Sequence, residues 1–198
     1  MKGVLPIAAL FTLQVSWAQA GDWSVPERDP PSLIVFAGAI TEGDVNQLAR
    51  IVTLFPTVST VMLSSPGGNL GEGLALADLI DRLGLNTIVM SGLHCESACA
   101  VAFMGGKERI AQKGAIVGVH APYRRRDKSP FAMLDGAGMM SRNVLNIEVR
   151  KYLTEFARKK GISTIVIDWM FASSQPAFTK KITAREGLRT GYFTRIVD

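Results

Sequence analysis

Between Leu33 and Gly106 one pattern recurs three times: a short apolar run, a turn containing glycine, and then apolar residues at helical spacing. Leu33 to Ile40, interrupted by Gly38, leads through Thr41-Glu42-Gly43-Asp44 into a helix that Pro56 ends, with Val45, Leu48, Ile51, Val52 and Phe55 on one face. Ser59 to Leu63 runs through Ser64-Ser65-Pro66-Gly67-Gly68-Asn69 into a helix from Gly71 to Leu83, and Gly84 supplies its left-handed end. Asn86 to Met90 stops at Ser91-Gly92, and a third helix follows from Ala98 to Met104. Such alternation predicts α/β layers with parallel strands and right-handed crossovers, so that the loops at the strands' carboxyl ends open on one edge.

Beyond Gly106, Glu108 to Ala111 and Ala115 to Val119 read as two more strands, the second delivering His120. A long helical stretch from about Phe131 to Lys160 follows, then a shorter helix from Thr164 to Phe171 and a last strand from Tyr192 to Val197. At 198 residues, 47% hydrophobic and 20% charged, the chain suits one domain with a sizeable core. The balance of 22 Lys+Arg against 17 Asp+Glu is mildly positive, and its local excess sits in runs 124–128 and 158–160. Neither run is interleaved with aromatics, which argues against a nucleic-acid partner.

The first twenty residues read as a signal peptide: Lys2, an apolar run from Val4 to Val15, and Ala18-Gln19-Ala20 as a cleavage site. That run is short for a bilayer span, and no second stretch reaches spanning length, so the mature protein from Gly21 is expected to be exported, periplasmic or extracellular, without a membrane span. Residues 21–32 are polar and proline-rich, an extended arm, and residues 33–198 form the domain. Export bears on Cys95 and Cys99, which are either a disulfide or two buried thiols; an oxidising compartment favours the bridge. With two His and two Cys in all, no metal site and no cofactor is expected.

Ser97 falls at the start of the third helix, where a serine usually serves as an N-cap. The same position suits a nucleophile, because free N–H groups and the helix dipole favour developing negative charge there. His120, at a strand end, is the histidine that can take a proton near neutrality. Gly67-Gly68 can present a backbone N–H with no side chain in the way, and Ala98 N–H is the second natural donor for an oxyanion. Taken singly, each has a plainer reading as a cap, a turn or a hydrogen-bonded histidine.

Taken in order, Ser65-Pro66-Gly67-Gly68, Ser97-Ala98 and Gly118-Val119-His120-Ala121-Pro122 resemble the proteolytic subunit of Clp protease. More closely, the chain is similar to exported bacterial proteins of the Clp/crotonase superfamily that carry a Cys-x-Ser-Ala-Cys-Ala core. The likeness extends to Gly38-Ala39-Ile40 and to the run from Thr183 to Gly191, and so covers most of the chain from Leu33 to Val197. It implies stacked ββα units, with the helix after the histidine projecting as a handle. It further implies Ser97 as nucleophile, His120 as general base, and the Gly68 and Ala98 N–H groups as oxyanion hole.

The family's aspartate stands four residues before the pair matched by Thr183-Ala184, and here that position is Thr179. Asp168 on the preceding helix is the nearest other candidate for a third member. Losing the orienting carboxylate of a Ser-His-Asp enzyme costs roughly 10⁴ in turnover. Another group, Thr179 or a backbone carbonyl must therefore orient His120, or the protein is no efficient protease. Glu96, beside Ser97, either perturbs the site or simply favours the helix start. The expected function is a periplasmic serine hydrolase, a peptidase acting on peptides or unfolded proteins; the alternative is a binding or assembly module that keeps the groove without the activity. An acyl-CoA enzyme of crotonase type is disfavoured by export. Relatives of this kind form rings or trimers, so the resemblance also implies a homo-oligomer.

Overall fold

The computed structural model describes residues 21–27, 31–122, 136–172 and 179–198, with residues 136–145 described as helical backbone only. The expected signal segment 1–20, Tyr123 with the basic run 124–128, and the loop around Pro176 lie outside the described residues.

In chain order the first half runs β1 (Asp22–Ser24), β2 (Leu33–Ala37), α1 (Asp44–Leu54), β3 (Thr60–Ser64), α2 (Leu70–Arg82), β4 (Asn86–Val89), β5 (His94–Glu96) and α3 (Ala98–Met104). The second half runs β6 (Arg109–Gln112), β7 (Ile116–Val119), α4 (Gly136–Lys159), α5 (Ile165–Ala172), β8 (Lys180–Lys181), α6 (Ala184–Arg189) and β9 (Arg195–Val197). Among the described residues the larger sheet has the order β1-β2-β3-β4-β6-β9, parallel throughout except for β1 at its edge. A smaller sheet has the order β5-β7-β8, with β5 parallel and β8 antiparallel to β7.

Two single bridges, Ile40 with Gly68 and Ser65 with Cys95, extend the smaller sheet across the top of β2 and β3. Strands β2, β3, β4 and β6 of the large sheet each pass the chain to this second layer before the following helix begins. Ile40, then Ser65 to Gly68, then β5, β7 and β8 lie side by side across that layer. Here is the ββα stacking of a Clp/crotonase-like α/β fold, with α4, 24 residues long, following the histidine strand.

Alternation explains the large sheet. Ile34 and Phe36 of β2, Val61 and Leu63 of β3 and Val89 of β4 are fully buried, while their neighbours are partly exposed. Helix α3 is apolar all round and accordingly buried on every side, from Ala98 to Met104. Each large side chain so buried contributes about 1.5–3 kcal/mol. Tyr192 pins this helix from below, its hydroxyl donating to the Ala100 carbonyl at 2.6 Å.

Several details depart from expectation. The polar arm contributes β1, with Trp23 buried against Phe36 and its indole N–H donating to Asp44 Oδ1 at 3.0 Å. Asp44 also accepts from Thr41 N–H at 2.7 Å, so the start of α1 is tied by its first residue, and the N-cap Gly43 contributes no side chain. Asn69, for which no role was expected, caps α2 by accepting from Glu72 N–H at 3.2 Å. Strands β5 and β8 carry no strand signal of their own.

Candidate active site

Ser97 occupies the N-cap position of α3, but its side chain makes no cap hydrogen bond. Its backbone sits at φ 59° and ψ −124°, the only positive φ at a non-glycine among the described residues. Such a conformation costs roughly 1–3 kcal/mol and persists only when the surroundings enforce it. Here they do. Ser97 N–H donates to the Gly118 carbonyl at 2.9 Å, and Ser97 C=O accepts from Val101 N–H at 3.3 Å. Cys95 and Cys99, both without solvent exposure, are joined by a disulfide that closes the chain around Ser97. Ser97 thus sits in a strained strand-to-helix turn, with its hydroxyl not engaged in capping the helix.

The glycine turn lies directly against Ser97. A Cβ on Gly67, at φ 96°, would stand 2.6 Å from Ser97 Cβ and 3.0 Å from the Ala98 nitrogen. A Cβ on Gly68, at φ 148°, would stand 2.1 Å from the Ile40 carbonyl oxygen. Both positions therefore exclude any side chain, for sterics as well as backbone conformation. Buried Ser65 holds the turn, its hydroxyl accepting from Gly67 N–H at 3.0 Å, while Ile40 bonds the turn on both sides through Gly67 C=O and Asn69 N–H at 2.9 Å. Gly68 N–H takes no part in these bonds and is exposed, and Ala98 N–H belongs to the unpaired first turn of α3.

His120 follows β7, one strand over from Ser97, and is 8% exposed. Its Nδ1 lies 2.8 Å from the Ala121 carbonyl oxygen. A carbonyl can only accept, so this contact places the proton on Nδ1 and leaves Nε2 as the basic nitrogen. Continuing the β7–β8 register sets Thr179 across from His120, and Thr179 Cγ2 reaches within 2.5 Å of where a Gly118 Cβ would be.

Asp168, the other candidate third member, is a correction. Its carboxylate is exposed and takes Arg150 Nη2 at 2.5 Å, an ion pair between α5 and α4 on the surface. The last turn of its helix faces β8 instead through Trp169, over which Lys180 Nζ sits at 5.1 Å. Lys180 also donates to Glu186 at 2.7 Å, and Glu186 closes a capping box with Thr183, so β8 is fastened to α6. Hydrogen bonds from Lys180 and from the Thr183 backbone hold the Glu186 carboxyl down at about 2.

Gly118 enters the sequence reading only as part of the motif around His120, with no role of its own. It bonds Ser97 through its carbonyl and, having no side chain, leaves room that Thr179 and Glu96 fill on the face that His120 shares; a lone glycine within a β-branched strand was the available signal. Among the described residues no group of three or more His, Cys, Asp or Glu is placed to hold a metal ion. No described helix is long and apolar enough to cross a membrane.

No protein-family model and no curated protein matches the chain. Among solved structures it is similar to a point mutant of ClpP1 from Listeria monocytogenes, with a TM-score of 0.58 and 15% identity, over 86% of this chain and 92% of that one. At such identity the likeness is one of fold.

Proposed function

We propose that this chain is an exported serine hydrolase that cleaves peptides with Ser97 as nucleophile and His120 as general base. The observation that carries the proposal is Ser97 itself: held at a positive φ, released from capping, and faced by a side-chain-free turn on one side and a histidine strand end on the other. In the reaction His120 Nε2 takes the Ser97 hydroxyl proton as Oγ bonds to the substrate carbonyl carbon. The oxyanion is received by Gly68 and Ala98 N–H groups, donors whose orientation is set before substrate arrives. His120 then passes the proton to the leaving amine as the C–N bond breaks, and water, deprotonated in turn by His120, releases the acyl group from Ser97. Ala121 C=O holds the imidazole in the tautomer this sequence of steps requires.

A fluorophosphonate probe offered to the processed protein across roughly pH 6 to 9 tests the reading. Labelling at Ser97, lost in Ser97→Ala and strongly slowed in His120→Ala, is the expected result. Folded wild-type protein that stays unlabelled throughout that range overturns it. Export rests on the leader-like residues 1–20 and on the disulfide, which suits an oxidising compartment, and N-terminal sequencing of the secreted form is expected to begin at Gly21. Assembly into a homo-oligomer is part of the proposal by analogy of fold.

A second reading, a binding or assembly module using the same groove, is favoured by one observation. His120 Nδ1 meets a neutral carbonyl where a carboxylate would give more stabilisation to the imidazolium. It expects a Ser97→Ala strain to keep every phenotype of the wild type, whereas the hydrolase reading expects that strain to match a deletion.

A further inference from the structure

We infer that Glu96 is a positioning residue that supplies, from the strand before the nucleophile, the negative charge that stabilises the His120 imidazolium. The inference rests on the hydrolase reading for its catalytic meaning, though its physical content can be measured without activity.

The geometry follows from register. In the smaller sheet Glu96 pairs with Gly118, and Gly118 pairs with Lys181. Directly paired residues point to the same face, as do residues two apart along a strand. Glu96, Gly118, His120, Thr179 and Lys181 therefore share one face, opposite the buried Cys95, Val117 and Val119. Gly118 leaves a gap in this row, and Glu96 leans into it: its Cγ and Oε1 each lie 3.2 Å from the place a Gly118 Cβ would take. Thr179 Cγ2 enters the same gap from the other side, at 2.5 Å. His120 is two residues beyond Gly118, about 7 Å along the backbone at strand rise, a range over which a charge still acts on an imidazole.

The Glu96 carboxylate is half-buried and accepts no hydrogen bond among the described residues, so its charge is not neutralised by an ion pair. Other charges packed against β7 are few. Strand β5 adds His94, exposed and at the far end of the same face, and α3 contains no ionisable group. Strand β8 adds Lys180, paired with Val119, turned to the opposite face and bound to Glu186, and Lys181, which shares the face but is exposed and screened. A negative charge near an imidazole favours its protonated form, which is the form that develops as Ser97 attacks. Glu96 thereby takes over the electrostatic share of the role that a carboxylate at position 179 would have, while Ala121 C=O keeps the orienting share.

The experiment is an NMR titration of His120 in the Ser97→Ala protein, where His94 is the only other histidine and a His94→Gln variant assigns the signals. Glu96→Gln, close in shape, is expected to lower the His120 midpoint by roughly half to one pH unit. In the active protein the pH midpoint of fluorophosphonate labelling is expected to fall by the same amount, and Glu96→Gln with Thr179→Asp to return it upward. An unmoved His120 midpoint in Glu96→Gln overturns the inference even where Ser97 labels normally. A shifted midpoint in a protein that never labels upholds the electrostatics and overturns only the hydrolase reading.

Discussion

At Ser97, the difference between a helix cap and a nucleophile is a matter of two dihedral angles. A capping serine has extended backbone and turns its oxygen back onto the helix; Ser97, at φ 59°, does neither. The cost of that conformation is met by neighbours rather than by Ser97, and Gly67 and Gly68 are the most exacting of them. Gly68→Ala would drive a methyl to 2.1 Å from Ile40 oxygen, so the turn must shift from its place between Ile40 and Ser97. Its expected outcome is loss of labelling by at least about 10²-fold, the scale of losing one oxyanion donor; labelling at the wild-type rate would remove Gly68 from the site. Thr179→Asp tests the opposite direction. Thr179 stands across from His120, and a carboxylate there is expected to raise kcat for a peptide ester by at least about tenfold, with little change in KM. Ser97, His120, Gly68 and Ala98 were legible as a candidate set because their types suit acyl transfer and their order resembles a known catalytic plan. The part played by Gly118 was not legible, since it lies in the space left to Glu96 and Thr179, which are distant in sequence.

Elements were readable in proportion to how far each is stabilised by its own side chains. Helix α3 was expected from Ala98 to Met104 and is found there, because a run of small and apolar residues after a turn has few other ways to bury itself. Strands β5, His-Cys-Glu, and β8, Lys-Lys, show no alternation, since both are strands only because β7 lies between them. The fastening of β8 is electrostatic and thus depends on pH. Glu186 is depressed to about 2 from an unfolded value near 4.3, so its stabilisation is fully present above the unfolded value and is lost as pH falls through about 2. Protection of Ile182 N–H, which donates to Val117 C=O at 2.8 Å across β8 and β7, is expected to decline over that acid window in wild type and to vary much less in Glu186→Gln. Identical acid profiles would show that β8 is held by other means. The disulfide acts on the element beside it: a Cys95→Ala, Cys99→Ala double variant is expected to lose about 2 kcal/mol of stability for so short a loop, read from denaturant midpoints, and to label more slowly as Ser97 relaxes.

Across the whole molecule, two charged groups join parts distant in sequence. Arg109 is buried, and its guanidinium donates to the carbonyls of Gly106, Tyr192, Gly191 and Lys160 at 2.8 to 3.3 Å, gathering β6, the end of α4 and the segment before β9. Burial lowers the pKa of this guanidinium, yet Arg remains charged at any ordinary pH. Arg109→Met would leave those carbonyls without a donor and is expected to cost about 2–4 kcal/mol in urea melts, with labelling at Ser97 retained in the fraction that stays folded; a cost within error of zero would mean water replaces it freely. Asp81 plays a similar part between α2 and α4: burial would raise its pKa, but hydrogen bonds from Lys159 and Lys160, each at 2.6 Å, outweigh that and lower it.

The amino-acid sequence alone determined the α/β alternation and the approximate helix ends, because periodicity and turn chemistry are local properties, and its ordered motifs named Ser97, His120, Gly68 and Ala98 as candidates. It left the orientation of His120 open between a carbonyl, Thr179 and Asp168, and the contacts that bear on this choice exist only in the tertiary structure. Whether a carboxylate meets a histidine depends on which strands become neighbours and in what register. Those pairings gave Nδ1 to Ala121, turned Asp168 to Arg150, and brought Glu96 into the space above Gly118.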